Sequence, residues 1–158
     1  MSDREAFLKR QSVGSVFAVG YREEYSGRKC LYFFCVEKVE KNKLCCHTMN
    51  EVDGKLVKTK GEENRGYWTF VENGQTAYMK DLIFYDVRDP ALEKVKAEVK
   101  ESERKILALF FLRKLEESQI TPEILSLISK IQEKVEAQKG KNKTLLPTNK
   151  NPVSEKER

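Results

Sequence analysis

One histidine among 158 residues leaves little room for the side chain most used in acid–base catalysis and metal binding near neutral pH. The chain also lacks a G-x-S-x-G elbow, a Walker loop, a Rossmann glycine pattern and an H-E-x-x-H pair, so the familiar routes to hydrolysis, nucleotide binding and zinc proteolysis are missing. Neither catalysis nor a cofactor is expected. No apolar run approaches the roughly 18 residues of a membrane span, and the opening MSDREAFLKRQ has no apolar core of the signal-peptide kind. A cytoplasmic location is expected, and there four cysteines serve as reduced core residues, redox groups or metal ligands sooner than as a disulfide framework.

The chain is long enough for one core, and it is polar for a globular protein: 39% of its residues are hydrophobic and 35% charged. The apolar residues are gathered in runs, which is the pattern of a folding chain. The net charge is +5, and residues 140–158 hold five Lys and Arg against two Asp and Glu, so more than half of the excess sits in the last stretch. Elsewhere acids and bases nearly balance.

Ser2 and Glu5 stand at capping-box spacing ahead of Phe7 and Leu8, which predicts a short helix over 3–10 within an N-terminal arm, 1–12. From residue 13 to 88, β-branched and aromatic runs alternate with turn signals: Ser26-Gly27, Lys41-Asn42-Lys43, Asp53-Gly54 and Asn73-Gly74. They divide the region into strands near 14–23, 29–40, 43–51, 55–60, 66–72 and 76–87. Short connections between successive strands imply an antiparallel meander, and about 75 residues suffice for a small bent barrel, not a two-sheet sandwich. Asp89-Pro90 starts a helix over 90–117; Thr121-Pro122 starts another, which Gly140 is expected to end. The expected organisation is therefore α+β: a barrel at 13–88, a helical hairpin at 89–140, and a disordered basic tail at 141–158.

All four cysteines and the histidine fall in RKCLYFFCVEKVEKNKLCCHTM, residues 28–49. Side chains alternate faces along a strand, so Cys30 and Cys35 point apart, as do Cys45 and Cys46. Four thiolates cannot converge on one ion. The best remaining set, Cys45 and His47 with one cysteine from the opposite strand, gives three ligands and lacks the C-x-x-C knuckle of structural zinc sites. No metal is expected, and the cysteines read as small core hydrophobes. Leu31 to Val36 is apolar on both faces, so the hairpin of helices or a partner must cover its outer side.

The other constellation is cationic. Arg22, Arg28, Lys29, Lys41, Lys43, Lys55, Lys58, Lys60, Arg65 and Lys80 stand at strand ends and turns, interleaved with Tyr21, Tyr25, Tyr67 and Trp68. If hairpin tips share a rim, these cations can follow a phosphate backbone, with an aromatic such as Tyr67 stacking on a base or lodging in a groove. The segment KTKGEENRGYW, with Lys58, Lys60 and Arg65, is the favoured contact loop, although Glu62 and Glu63 interrupt its charge.

GSVFAVGYREEYSGRKCLYFFCVEKV resembles the glycine-led first hairpin of the KOW, Tudor and SH3-like small barrels. The likeness covers about residues 13–87, and the extra strand and long second hairpin depart from the five-stranded form. The whole arrangement of barrel, charged helices and basic tail is similar to that of small early proteins of T4-type phages. The resemblance implies a non-specific, nucleoid-associated, double-stranded DNA-binding protein that modulates transcription in a bacterial host's cytoplasm or nucleoid. Expected partners are double-stranded DNA and a second copy of the chain, paired through the helical hairpin. The alternative is a protein-interaction adaptor gripping a host protein.

Overall fold

The computed structural model describes residues 1–145, and the side chains as far as 141; the expected tail lies outside the described residues from 146 onward. The chain divides into two compact units with the boundary after Phe110. Among the described residues no helix is long and apolar enough to cross a membrane.

The first unit is a six-stranded antiparallel sheet entered through helix α1, Asp3–Lys9, whose N-terminus is capped by Ser2: its Oγ accepts the Glu5 N–H at 3.2 Å. The strands are β1 Val16–Glu23, β2 Lys29–Val39, β3 Lys43–Val52, β4 Lys55–Lys58, β5 Arg65–Thr69 and β6 Met79–Asp86. Helices α2, Ala91–Arg113, and α3, Pro122–Leu145, follow. The α+β class holds, with a sheet followed by two C-terminal helices.

The order is β4-β3-β2-β1-β6, and β5 pairs with the first half of β3 while β4 pairs with the second. The meander therefore extends only from β1 to β4. The expected turn at Asn73-Gly74 is instead a short 3-10 helix, Gly74–Thr76, capped by Asn73, whose Oδ1 accepts the Gln75 N–H at 3.1 Å. That turn of helix carries the chain from β5, beside β3, across to β6, beside β1. Gly140 does not end α3 either. A glycine costs about 1 kcal/mol inside a helix without forbidding it, and no proline follows before Pro147.

Alternation along β1 supplies both faces of the sheet. Phe17 and Val19 point inward to join Val36, Leu44, Cys46, Trp68, Phe70 and Leu8 of α1 in the main core. Phe84 of β6 meets Trp68 of β5 edge to face at 5.3 Å, so rings link two strands that share no ladder. Arg4 reinforces that junction: its guanidinium lies over Trp68 and Phe84 and donates to the Thr69 carbonyl at 3.1 and 3.2 Å.

On the outer face Ala18 packs with Phe33 and with Leu92 of α2. Leu92, Val95, Val99, Ser102 and Ile106 form the less exposed stripe of α2, at helical spacing. Gly20 belongs to this face, and a Cβ there would stand 3.1 Å from a ring carbon of Tyr85. The doubly apolar β2 segment thus finds its outer cover inside the first unit, in the beginning of α2.

The thiols divide between faces as strand parity requires. Cys46 lies in the main core, where burial, and then the neighbouring Cys45, push its thiol up to about 12; burial also raises that of Cys30. Phe17→Ala should cost about 3 to 5 kcal/mol in chemical denaturation, because it opens a cavity between α1 and the sheet. A second expectation concerns alkali. The folded Cys46 thiol keeps its proton above the ordinary value of 9.0, so its contribution to stability is intact below pH 9 and is lost as pH rises toward 12. Unfolding free energies measured across that interval should fall more steeply for the native chain than for Cys46→Ala.

Candidate nucleic-acid interface

The antiparallel register sets Lys29 of β2 opposite Arg22 of β1, and Arg22 opposite Lys80 of β6. Three cations thus stand abreast on adjacent strands, in a row about 10 Å wide at a strand spacing of roughly 4.8 Å. The alignment depends on a bulge: between Gly20 and Arg22 the register with β6 shifts, and Asp81, with φ of 54°, takes up the extra residue. Like charges directly opposite each other destabilise a sheet, and each cation here has its own acid. Arg22 meets Asp81 at 3.2 Å, Lys29 meets Glu98 of α2 at 3.3 Å, and Lys80 meets Glu24 at 3.2 Å. All three cationic side chains remain about half exposed.

Aromatic rings gather at the same end of the strands. Tyr21 stacks on Tyr32 at 6.0 Å and meets Tyr78 edge-on at 6.3 Å, and burial raises the Tyr21 phenol well above its usual range. Tyr25, in the β1–β2 turn, is almost fully exposed. Arg28 is spent locally: it donates to Glu23 at 2.8 Å, and that carboxylate is held low first by the Ser26 hydroxyl and then by Arg28. The pair closes the turn.

The remaining cations do not join this row. Around the β2–β3–β5 end, Lys43 lies over the Tyr67 ring at 5.0 Å and near Glu40 at 3.5 Å, while the Tyr67 hydroxyl accepts from Gln75. Glu37, at a bulge in β2, gathers Arg65 at 3.3 Å, Lys58 at 3.6 Å and the His47 Nδ1 at 3.3 Å. That last approach lacks hydrogen-bonding geometry, and Nδ1 has no other partner among the described residues. Lys41, Lys55 and Lys60 have no ion pair among the described residues. In place of the expected single rim there are two groups of cations, Arg22, Lys29 and Lys80 in one and Lys43, Lys58 and Arg65, with the Tyr67 ring under Lys43, in the other.

The favoured contact loop is pinned. The His47 ring bonds the Thr59 carbonyl, Thr59 donates to the Thr48 carbonyl from both its N–H and its hydroxyl, and the Thr48 hydroxyl donates to the Asn64 carbonyl at 2.9 Å. Gly61 turns the loop at φ of 106°, where a side chain would be strained.

Cys35 faces His47 across the β2–β3 ladder, and Cys45 shares their side of β3. Among the described residues no group of three or more His, Cys, Asp and Glu is placed to hold a metal ion. Sequence reasoning missed Glu37 as the hub of a cationic cluster and Glu98 as the partner of Lys29. Both depend on register and packing, which spacing alone does not reveal.

No protein-family model, curated protein or solved structure matches the chain. Glu37→Ala should remove the carboxylate that the half-exposed Lys58 and Arg65 share beside His47 and cost about 0 to 1 kcal/mol. Amide exchange at 59–65 should then quicken while the β1 amides stay protected; unchanged exchange would show that the loop is held without Glu37.

Proposed function

We propose that this chain is a non-catalytic protein that binds double-stranded DNA with little sequence preference and so modulates transcription. On this reading the sheet is an SH3-like barrel of the KOW and Tudor kind, and the protein belongs with nucleoid-associated early phage proteins such as MotB. The observation that carries the reading is the row of Arg22, Lys29 and Lys80, half exposed, beside exposed tyrosines at one end of the sheet. Phosphates are recognised by cations spaced along a surface, and the contact reads no bases.

The acids beside the row do not oppose this strongly. Exposed ion pairs contribute about 0 to 1 kcal/mol, so a phosphate can displace a carboxylate at small cost. What they do is keep the local field low, which favours weak, sequence-tolerant binding released by salt. A second reading, a protein-interaction adaptor, draws on exposed apolar residues of α2 such as Leu107 and Leu109.

Binding to unrelated duplexes, followed by anisotropy over a salt series, should give equal affinities that fall linearly on a double-logarithmic plot. Replacing Arg22, Lys29 and Lys80 together by Gln should flatten that slope by about 2 to 3, at roughly 0.9 per lost phosphate contact. Undetectable binding at low salt would remove the proposal, and an unaltered slope would move the contact to the Lys43, Lys58 and Arg65 group.

A further inference from the structure

Among the described residues no aromatic side chain is as exposed as Tyr25, at 93%, at the tip of the β1–β2 turn. The other exposed tyrosines are engaged: Tyr32 and Tyr78 pack against Tyr21, and Tyr67 lies under Lys43 and accepts from Gln75. Tyr25 has no ring, cation or hydrogen-bond partner among the described residues. An isolated exposed ring needs no explanation by itself, but the turn that carries this one is built with unusual care.

The Glu23 N–H donates to the Arg28 carbonyl and the Gly27 N–H to the Glu23 carbonyl, each at 2.9 Å, and Gly27 turns at φ of 68°, a conformation that favours glycine. The Ser26 hydroxyl donates to the Glu23 carboxylate at 2.6 Å and accepts the Arg28 N–H at 3.1 Å. The Glu24 N–H donates to the Tyr78 carbonyl at 2.9 Å, which ties the turn to the entry of β6. Both carboxylates before Tyr25 are taken, Glu23 by Arg28 and Glu24 by Lys80. The ring is therefore held out on a fixed support, so a ligand that receives it need not order the backbone first. Arg22 and Lys29, opposite each other in the ladder, stand at the base of the turn. At about 3.3 Å per residue, Tyr25 projects up to roughly 10 Å beyond them, and the grooves of B-DNA are about 7.5 to 8.5 Å deep. Cations seated on phosphates at a groove's edge thus bring the ring to the level of the bases.

We infer that Tyr25 is a wedge: with Arg22 and Lys29 on backbone phosphates, its ring enters the groove and inserts between two stacked base pairs, opening that step and kinking the duplex. The inference rests on the DNA-binding reading and adds to it the form of DNA that is preferred, a duplex with a step that unstacks readily. An aromatic face stacks on any base, so the wedge agrees with binding of little sequence preference. The cost of opening the step is what selects, and it is smallest at flexible or mismatched steps.

Two short duplexes test this, one fully matched and one with a single central mismatch, each labelled at both ends for energy transfer and titrated with the full chain. The native chain should bind the mismatched duplex about tenfold more tightly and should shorten the end-to-end distance of both. Tyr25→Ala should bind the two alike, leave them straight and keep the native salt slope, because no phosphate contact is lost. Tyr25→Phe should behave as the native chain does, since the ring and not the hydroxyl inserts. Emission of Trp68, the chain's one tryptophan, should be the same in all three proteins and reports that each is folded. Binding that leaves the duplex straight, or a mismatch preference that survives Tyr25→Ala, overturns the wedge while the DNA-binding reading stands. Absence of binding to either duplex at low salt removes both.

Discussion

Burial of β1 on both faces and both edges is the constraint on which the first unit depends. Its inner side chains, Phe17 and Val19, organise the core under α1, its outer ones, Ala18 and Gly20, set how closely the outer layer approaches, and its edges pair with β2 and β6. A larger residue at Ala18 would meet Leu92 and Phe33; one at Gly20 would press on Tyr85. The small residues on one face and the large ones on the other explain why VFAVG reads as a continuous apolar run although the strand belongs to an antiparallel sheet. The same strand carries Arg22 next to its last residue, so the candidate contact row is anchored to the most constrained element of the first unit.

Much of this was legible in the sequence because it depends on local chemistry. Six strands and three helices follow from period and punctuation, the Ser2 and Thr121 caps from side-chain geometry, and the division of the cysteines from parity alone. Two expectations failed where a local signal met a non-local arrangement. Asn73-Gly74 has the chemistry of a hairpin turn, but the strands it separates pair with different neighbours, so the chain needed a crossing segment there. Gly140 has the chemistry of a helix stop, yet nothing nearby competes with continuing the helix. The candidate site was half legible: the cations themselves could be named, but their sorting into a row and a cluster depends on which residues face one another, and a one-residue bulge at Asp81 decides the position of Lys80.

Pairing shapes the electrostatics more than composition does. A net charge of +5 suggests a basic surface, but Arg22, Lys29, Lys80, Lys58 and Arg65 each have a carboxylate within 4 Å. Most of these pairs are exposed, where screening leaves them weak and exchangeable. Glu37 is different, because one carboxylate faces three side chains at once, the half-exposed Lys58 and Arg65 and the buried His47. The pairs along the row are therefore suited to exchange with a ligand, and the Glu37 cluster to holding a loop in place.

The two units pose opposite problems of surface. In the first, Phe17, Val19, Leu44 and their neighbours are consumed by α1, the sheet and the start of α2, while Leu107, Leu109 and Phe110 stay exposed; in the second, no described side chain is fully buried. A chain under no demand to associate would lose little by replacing Leu127 or Ile131 with a polar residue, since neither contributes to a core. Were two copies of the chain to associate, two weak phosphate-binding rows would raise each other's effective concentration, and affinity for a long duplex would grow without any new contact on either row.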